Sequence, residues 1–330
     1  MKSIASLLDI APLYDGFILD QWGVLHDGVN GLHKGPEVIA ELARLDKKLV
    51  ILSNSSRRAE ATLDALRRFG YDRAHFRGAV TSGEQANMAL RKLVSEKEEG
   101  ITRCLWFSYE PGASGLGSFG EGLEKLEAVS DIECAEFLLA QGTDMIRSQD
   151  GNHISLQGVR ETGDLSAVDG VLRRGVDRGI PMHCVNPDTT VVQEGKTLYV
   201  TGIFAKRYAE LGGHVLFHGK PYLEHFEAAM AMFGEEVARD RICHVGDSLH
   251  HDIQGANVAQ IASVWVAGGS SIHAGEMGLE GEPRAEGVTQ GGLDDAAMER
   301  AAGVIAANGH FVPTYVVHSL SHLACKNATT

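Results

Sequence analysis

Short apolar runs alternate with amphipathic stretches along the first part of the chain. The run Gly16–Leu19 is followed at once by Asp20, and the run Leu49–Leu52 is followed by Ser53. Between them, residues 37–47 place apolar side chains on one face, a pattern typical of a helix packed against a sheet. Short buried strands separated by helices predict an α/β fold with a parallel sheet and right-handed crossovers.

The same alternation returns after residue 214. Three further apolar runs predict strands there, and the first two lead directly to polar motifs: Val215–Phe217 before Gly219-Lys220-Pro221, Ile242–Val245 before Gly246-Asp247, and Ala262–Val266. Residues 222–232 lie between the first two runs and predict a helix. The second region therefore continues the α/β pattern of the first.

The middle of the chain predicts a separate domain inserted into the first. Its helix candidate spans residues 168–177, and a Gly/Ser-rich loop spans residues 112–118. Its strand candidates are Cys104–Phe107, Phe137–Ala140 and Met182–Val185. The predicted organisation is a core in two halves, residues 1–86 and 215–324, around an inserted domain of residues 87–214. Residues 325–330 are polar and predict a disordered tail.

Composition narrows the class of protein. The formal net charge of −14 and the acidic pI of about 5.5 argue against nucleic acid or an anionic membrane as the main partner. No apolar run reaches the roughly 18 residues that span a bilayer, and the N-terminus does not resemble a secretory signal. Five scattered cysteines predict free thiols in a reducing compartment, so we expect a cytoplasmic protein.

Polar groups follow four of the predicted strands. If these strands share one parallel sheet, their carboxyl ends meet at one edge, and Asp20 and Asp247 would form a hard oxygen site suited to Mg²⁺. Ser53, Asn54 and Lys220 would then bind the oxygens of a phosphoryl group. An aspartate whose charge is neutralised by a metal and a lysine can attack phosphorus, which predicts Asp20 as a nucleophile.

These four segments, in this order and with a long gap after the second, resemble the motifs of the haloacid dehalogenase (HAD) superfamily of hydrolases. The insert resembles the class IIA cap carried by p-nitrophenyl phosphate, phosphoglycolate and pyridoxal phosphate phosphatases, and the likeness extends to about residue 275. It implies a Rossmann-like core with an inserted α/β cap. It also implies Mg²⁺-dependent hydrolysis of a small phosphorylated metabolite through an aspartyl-phosphate on Asp20, and it leaves open a homodimer formed through the cap.

The resemblance assigns roles residue by residue. The implied catalytic residues are Asp20, Ser53 and Lys220, and the implied metal ligands are Asp20, Asp247 and the backbone carbonyl of Trp22. Phosphate or substrate contacts are implied for Asn54 and Ser55, and for Asn186 and Asp188 in a loop that such caps place near the substrate. Ser248 and Asp252 would contact the metal ligands and hold them in place without binding the metal themselves.

Each of these residues also has an ordinary structural interpretation. The alternatives are a helix cap for Ser53, a loop lysine for Lys220, a first-turn acid for Asp252, and a small core residue rather than a nucleophile for Cys184. The adjacent His250 and His251, with His244 and His218, suggest a transition-metal site, but no third ligand follows at helical spacing.

Trp22 departs from the family pattern. The phosphatases usually carry a second aspartate at this position, which protonates the leaving oxygen and later activates water, whereas an indole cannot transfer a proton at neutral pH. Three explanations remain open: a leaving group that needs no acid, a proton carrier supplied by His26 or the cap, or a protein that binds a phosphorylated ligand with little turnover. A dehalogenase would share the Asp20 nucleophile but would not need Asp247.

Overall fold

The computed structural model describes residues 1–32, 34–96, 101–110, 117–149, 151–193, 196–281, 287–289 and 291–321. The chain divides into two compact units. The first comprises Met1–Ser53, Leu63–Val80 and the chain from Lys220 onward, and the second comprises Asn54–Thr62 and Thr81–Gly219. The predicted tail 325–330 and most of the predicted loop 112–118 lie outside the described residues.

The strands are numbered in chain order. They are β1 (Lys2–Ser3), β2 (Gly16–Leu19), β3 (Lys48–Ser53), β4 (Phe76–Thr81), β5 (Thr102–Ser108), β6 (Leu126–Ala128), β7 (Phe137–Ala140), β8 (Met145–Arg147), β9 (Ile154–Ser155), β10 (Met182–Cys184), β11 (Thr190–Gln193), β12 (Lys196–Tyr199), β13 (Val215–Phe217), β14 (Ile242–Gly246), β15 (Ala262–Val266), β16 (Val288–Thr289), β17 (Gly292–Leu293) and β18 (Tyr315–Val317).

The α-helices are numbered in the same way. They are α1 (Gly35–Arg44), α2 (Ala59–Ala65), α3 (Ser82–Ser95), α4 (Val159–Thr162), α5 (Ser166–Asp177), α6 (Gly202–Glu210), α7 (Leu223–Ala231), α8 (Gln254–Val258), α9 (Ala274–Met277) and α10 (Asp295–Ala307). A π-helical turn, Leu249–Ile253, leads into α8. Among the described residues, no helix is both long and apolar enough to cross a membrane.

The first unit contains a seven-stranded sheet in the order β1-β18-β15-β14-β2-β3-β4. The pairs from β1 through β3 along this order are parallel, so the predicted parallel sheet is confirmed. Strand β2 is buried along its whole length, as its unbroken apolar sequence predicts. Its neighbour β14 pairs Val245 with Leu19, which brings the ends of these two strands together at the middle of the sheet.

The second unit contains its own sheet, in the order β13-β10-β7-β5-β8-β9, with β6 beside β5. Strands β5, β7, β10 and β13 are mutually parallel, and β8 runs antiparallel to β5. The apolar core of this sheet includes Leu138, Phe204 and the fully buried Cys184. The predicted insert therefore does contain an α/β arrangement of its own, and Cys184 occupies a core position.

One strand prediction was wrong. The run Val215–Phe217 does form a strand, but this strand is β13 and pairs with β10 in the second sheet rather than joining β2, β3 and β14. An apolar run of three residues carries no information on which sheet it joins, because register and partner depend on distant side chains. Lys220 is consequently supplied by the chain segment that begins the last part of the first unit.

The sequence reasoning also missed one edge of the first sheet. Strands β1 and β18 extend the sheet beyond β15, and α10 precedes β18 with Ala297, Ala301 and Val304 buried. These strands are two and three residues long, too short to display a period of their own.

A buried histidine beside a partly buried one makes the stability of the second unit depend on pH. His183 Nδ1 lies 3.1 Å from His218 Nε2, and burial, aided by His214, lowers the pKa of His183 to about 4. A lowered folded-state pKa favours the neutral ring. The contribution of His183 to the free energy of unfolding is therefore fully present above the usual pKa of 6.5 and is lost as the pH falls toward 4.

We expect the free energy of unfolding to fall by roughly 2 kcal/mol between pH 7.5 and pH 5 from His183 alone. Denaturant unfolding of the native chain and of His183→Gln at both pH values isolates this contribution, since other buried histidines are common to both. Equal pH dependence in the two proteins would contradict it.

Candidate active site

Two acidic residues leave adjacent strands at the carboxyl edge of the first sheet. Asp20 directly follows β2, and Asp247 directly follows β14. The Asp20 N–H donates to the carbonyl of Val245 at 2.9 Å, which continues the ladder by one residue and fixes where the Asp20 side chain begins. Both aspartates are buried. Neighbouring parallel strands thus deliver two carboxylates to one place.

Lys220 joins Asp20 to a third carboxylate. Its Nζ lies 2.8 Å from Asp20 Oδ1 and 2.7 Å from Asp252 Oδ1, and its side chain is only 2% exposed. One buried ammonium therefore bridges two buried carboxylates.

Asp252 is held by the backbone and by a histidine. Its Oδ2 accepts the Ser248 N–H at 3.0 Å, and its Oδ1 lies 2.8 Å from Nε2 of His244. A Cβ on Gly246 would lie 2.1 Å from the Asp252 carboxyl carbon, so only glycine leaves room for this side chain. Asp252 belongs to the π-helical turn that Ser248 caps, a local irregularity often found at functional sites.

Backbone groups place Asp247. Its Oδ2 accepts the Ile272 N–H at 2.9 Å, and its carbonyl accepts the indole N–H of the buried Trp265 at 3.0 Å. Gly23 passes so close that a Cβ there would lie 2.2 Å from Asp247 Oδ2. Gly23 also has a φ of +75°, which glycine adopts without strain.

The charges of the site do not balance within the described chain. Burial, together with the nearby Asp252, raises the pKa of Asp20 to about 7 although Lys220 acts to lower it. Burial and the other two carboxylates raise the pKa of Asp247 well above its usual range. Burial acts to raise the pKa of Asp252 as well, but Lys220 and His244 outweigh it and hold that pKa low.

The pKa of Lys220 shows the same competition. Burial acts to lower it, and the two carboxylates raise it above its usual value. Three carboxylates against one ammonium leave negative charge that a dry site cannot hold without a further cation.

The donor set fits a divalent cation. One oxygen from each of Asp20, Asp247 and Asp252 lies within 4.8 Å of the others, and this is the one such group among the residues with described coordinates. Because Asp252 is committed to Lys220, His244 and a backbone N–H, the oxygens available to a cation belong to Asp20 and Asp247. Oxygen donors of this kind suit Mg²⁺ or Ca²⁺.

Trp22 packs on its own loop. Its indole lies against Gly28, where a Cβ would be 2.3 Å from the ring, and meets the His26 ring edge to face at 5.6 Å. His26 in turn stacks on Phe69 at 4.0 Å and accepts the Gly28 N–H on Nδ1. The indole therefore serves as packing for the loop of residues 22–31.

The other predicted site residues divide between the units. Ser53 ends β3 beside β2 in the first unit and is buried, whereas Asn54, Ser55, Asn186 and Asp188 belong to the second unit. There the Asn54 amide donates to Asp188 at 2.7 Å, and the Asp188 N–H donates to the Asn186 side chain. The roles assigned to these residues stay predictions.

Several ordinary interpretations can now be compared with the structure. Ser53 does not cap a helix, since α2 begins at Ala59. Asp252 does lie in a first helical turn, but it is fully buried and paired. The part played by His244 was missed, and the available indication was a polar residue inside the otherwise apolar run Ile242–Val245.

Two family models match the chain. Residues 17–110 match the model of the haloacid dehalogenase-like hydrolases, and residues 217–290 match a second model described as HAD-hydrolase-like. Together the matched segments make up about half of the chain. A search of curated proteins finds no match.

Solved structures share the fold along nearly the whole chain. A haloacid dehalogenase-like hydrolase from Brucella suis 1330 is 23% identical over 96% of this chain and 98% of its own, with a TM-score of 0.67. A p-nitrophenyl phosphatase from Archaeoglobus fulgidus is 22% identical over 93% and 97%, with a TM-score of 0.60. A possible sugar phosphatase from Cytophaga hutchinsonii is 20% identical over 98% and 100%, with a TM-score of 0.65.

The close packing of Asp252 on Gly246 predicts a large cost for one methyl group. Gly246→Ala should lower the free energy of unfolding by about 2 kcal/mol or more, since the new Cβ would overlap a buried, fully bonded carboxylate. Gly170→Ala, in α5 with no atom within 4 Å of its added Cβ, is the control and should be neutral or stabilising by about 0.5–1 kcal/mol. Chemical denaturation measures both, and equal midpoints would contradict the prediction.

Proposed function

Because the chain belongs to the haloacid dehalogenase-like hydrolases, we propose that it is a Mg²⁺-dependent phosphatase of the class IIA kind. The substrate would be a small phosphorylated metabolite, hydrolysed through an aspartyl-phosphate on Asp20. The observation that carries the proposal is the buried group of Asp20, Lys220, Asp247 and Asp252. Structures of similar fold include a p-nitrophenyl phosphatase and a possible sugar phosphatase, which supports this reaction class.

The first step transfers the phosphoryl group to the protein. A carboxylate oxygen of Asp20 forms a bond to phosphorus while the bond from phosphorus to the leaving oxygen breaks. The ammonium of Lys220, which lies 2.8 Å from Asp20 Oδ1, would bind a phosphoryl oxygen together with the hydroxyl of Ser53. The leaving group departs with the electron pair of the broken bond.

The carboxylates of Asp20 and Asp247, with the Trp22 carbonyl, would hold the metal. Bound Mg²⁺ supplies positive charge that keeps both carboxylates ionised and offsets the charge of the phosphoryl oxygens. Burial, with the neighbouring carboxylates, raises the pKa of Asp20 and of Asp247, and a bound cation would offset both effects.

The second step returns Asp20 to its starting state. Water attacks phosphorus and releases a proton to the solvent, the bond from phosphorus to the Asp20 oxygen breaks with its electron pair left on Asp20, and inorganic phosphate leaves. This water must lose a proton, and Trp22, whose indole packs on Gly28, has no basic group to accept it. Dephosphorylation of Asp20 is therefore the slow step in the proposed reaction.

Trp22 also supports a second candidate function. A protein that binds a phosphorylated ligand and turns it over poorly would keep Asp20, Lys220 and the metal ligands but would not need a proton carrier. Dehalogenation is less well supported, because it gives no reason for the buried Asp247 beside Asp20. Asn186 and Asp188 as substrate contacts, a homodimer through the cap, and a cytoplasmic location stay predictions from the sequence.

Hydrolysis of p-nitrophenyl phosphate tests the proposed function. We expect turnover that requires Mg²⁺, is lowered about 10³-fold or more by Asp20→Asn, and needs more Mg²⁺ for half-maximal rate in Asp247→Asn. Phosphate release with and without chelator measures these effects. Turnover that survives both chelation and Asp20→Asn would contradict the mechanism, whereas tight phosphate binding without turnover would favour the binding protein.

The missing proton carrier predicts a strong dependence on the leaving group. The kcat/KM of phenyl and acyl phosphates, which reports phosphoryl transfer to Asp20, should exceed that of alkyl phosphates, because an alkoxide cannot depart without a proton. Trp22→Asp should then speed the hydrolysis of alkyl phosphates by up to about 10²-fold, and Trp22→Asn is the control that removes the same indole without adding a carboxylate.

Steady-state rates over a series of substrates graded by leaving-group pKa, with thermal melts to verify folding, complete this test. Values of kcat/KM that do not change across the series in the native chain would indicate that another group supplies the proton. The same conclusion would follow if a folded Trp22→Asp were no faster than Trp22→Asn.

A further inference from the structure

We propose that His244 is a positioning residue that acts through Asp252 to hold Lys220 in place against the nucleophile. This inference rests on the proposed function for the role of Lys220, and on the structure for the contacts. The connection runs through one atom: Asp252 Oδ1 lies 2.8 Å from His244 Nε2 and 2.7 Å from Lys220 Nζ. Lys220 Nζ then reaches Asp20 Oδ1 at 2.8 Å.

The chemistry of the contact fixes the state of the imidazole. An ionised carboxylate has no proton to donate, so His244 Nε2 must carry the hydrogen of this bond. Burial lowers the pKa of His244, although Asp252 acts to raise it, and the ring is therefore the neutral tautomer with its proton on Nε2. A neutral donor orients Asp252 without cancelling its charge, which leaves that charge available to Lys220.

The His244 side chain is fixed by burial and by its neighbours. It lies in the middle of β14, is fully buried, and meets the ring of Phe226 edge to face at 5.0 Å. Its backbone pairs with Ile18 on β2, two residues before Asp20. The same strand thus carries the imidazole that orients Asp252 and ends at the residue before Asp247.

Each atom of the Asp252 carboxyl group therefore has its own contact. The Ser248 N–H fixes Oδ2, His244 fixes Oδ1, and the backbone of Gly246 supports the carboxyl carbon. Without the imidazole, Oδ1 would lose the His244 contact and keep the one to Lys220, and the carboxylate could rotate about the Ser248 contact. Lys220 would then move relative to Asp20, and its ammonium would no longer be held at a fixed position beside the nucleophile.

The test compares two substitutions at the same position. Gln can place an amide N–H near the position of His Nε2, whereas Leu has similar bulk and no donor. With p-nitrophenyl phosphate and saturating Mg²⁺, we expect His244→Leu to lower kcat by about 10-fold or more with a smaller change in KM, and His244→Gln to recover most of the loss. A structural role alone would not distinguish two variants of equal melting temperature.

A double-mutant cycle shows whether the effect passes through Asp252. In an Asp252→Asn background, His244→Leu should cost less than about 2-fold in kcat, because the connection is already broken. An equally large loss in both backgrounds would overturn the proposal. So would a folded His244→Leu with unchanged kcat.

A spectroscopic measurement keeps the proposal testable even if the chain turns over no phosphate ester. The ¹⁵N NMR spectrum of histidine-labelled protein should show His244 as the Nε2–H tautomer at neutral pH, with a slowly exchanging ring proton that is lost in Asp252→Asn. An Nδ1–H tautomer would overturn the inference directly. The expected tautomer in a protein without turnover would instead count against the proposed function and leave the positioning contact standing.

Discussion

The buried ion pairs of Lys220 with Asp20 and Asp252 are the interaction on which the rest of the site depends. Removing charges from water is costly, and it is offset only where each charge meets partners in close geometry. The ammonium meets that condition on two sides, which keeps Asp252 ionised. The pKa of Asp20 and that of Asp247 are both raised, so these two carboxyl groups need a bound cation or a proton to balance their charge. The same imbalance that would destabilise an inert core equips this edge of the sheet for chemistry.

The fold supplies this geometry through main-chain features more than through side-chain choice. Strands β2 and β14 lie side by side, so Asp20 and Asp247 start from adjacent backbone positions. Two glycines, Gly23 and Gly246, let the carboxylates of Asp247 and Asp252 come within contact of the backbone. Rigid strands and missing Cβ atoms thus set distances that flexible side chains could not hold by themselves.

The sequence was sufficient to predict the parallel sheet and the placement of Asp20 and Asp247 at its edge, because several apolar runs, each followed at once by polar groups, are typical of parallel strands that end at one edge. It was insufficient for Val215–Phe217, whose partner strand is chosen by packing between distant residues. His244 was missed for a related reason: the contact with Asp252 depends on the π-helical turn, and no sequence period announces such a turn. The sequence also did not predict the packing of the Trp22 side chain, because this packing is determined by the conformation of the loop of residues 22–31.

The packing of Trp22 on Gly28 means that neither residue can be substituted without affecting the other. No larger residue fits at position 28 while the indole is present, and a small residue at position 22 would leave the face of Gly28 uncovered. The two positions are therefore energetically coupled, so the effect on stability of substituting both should differ from the sum of the two single effects.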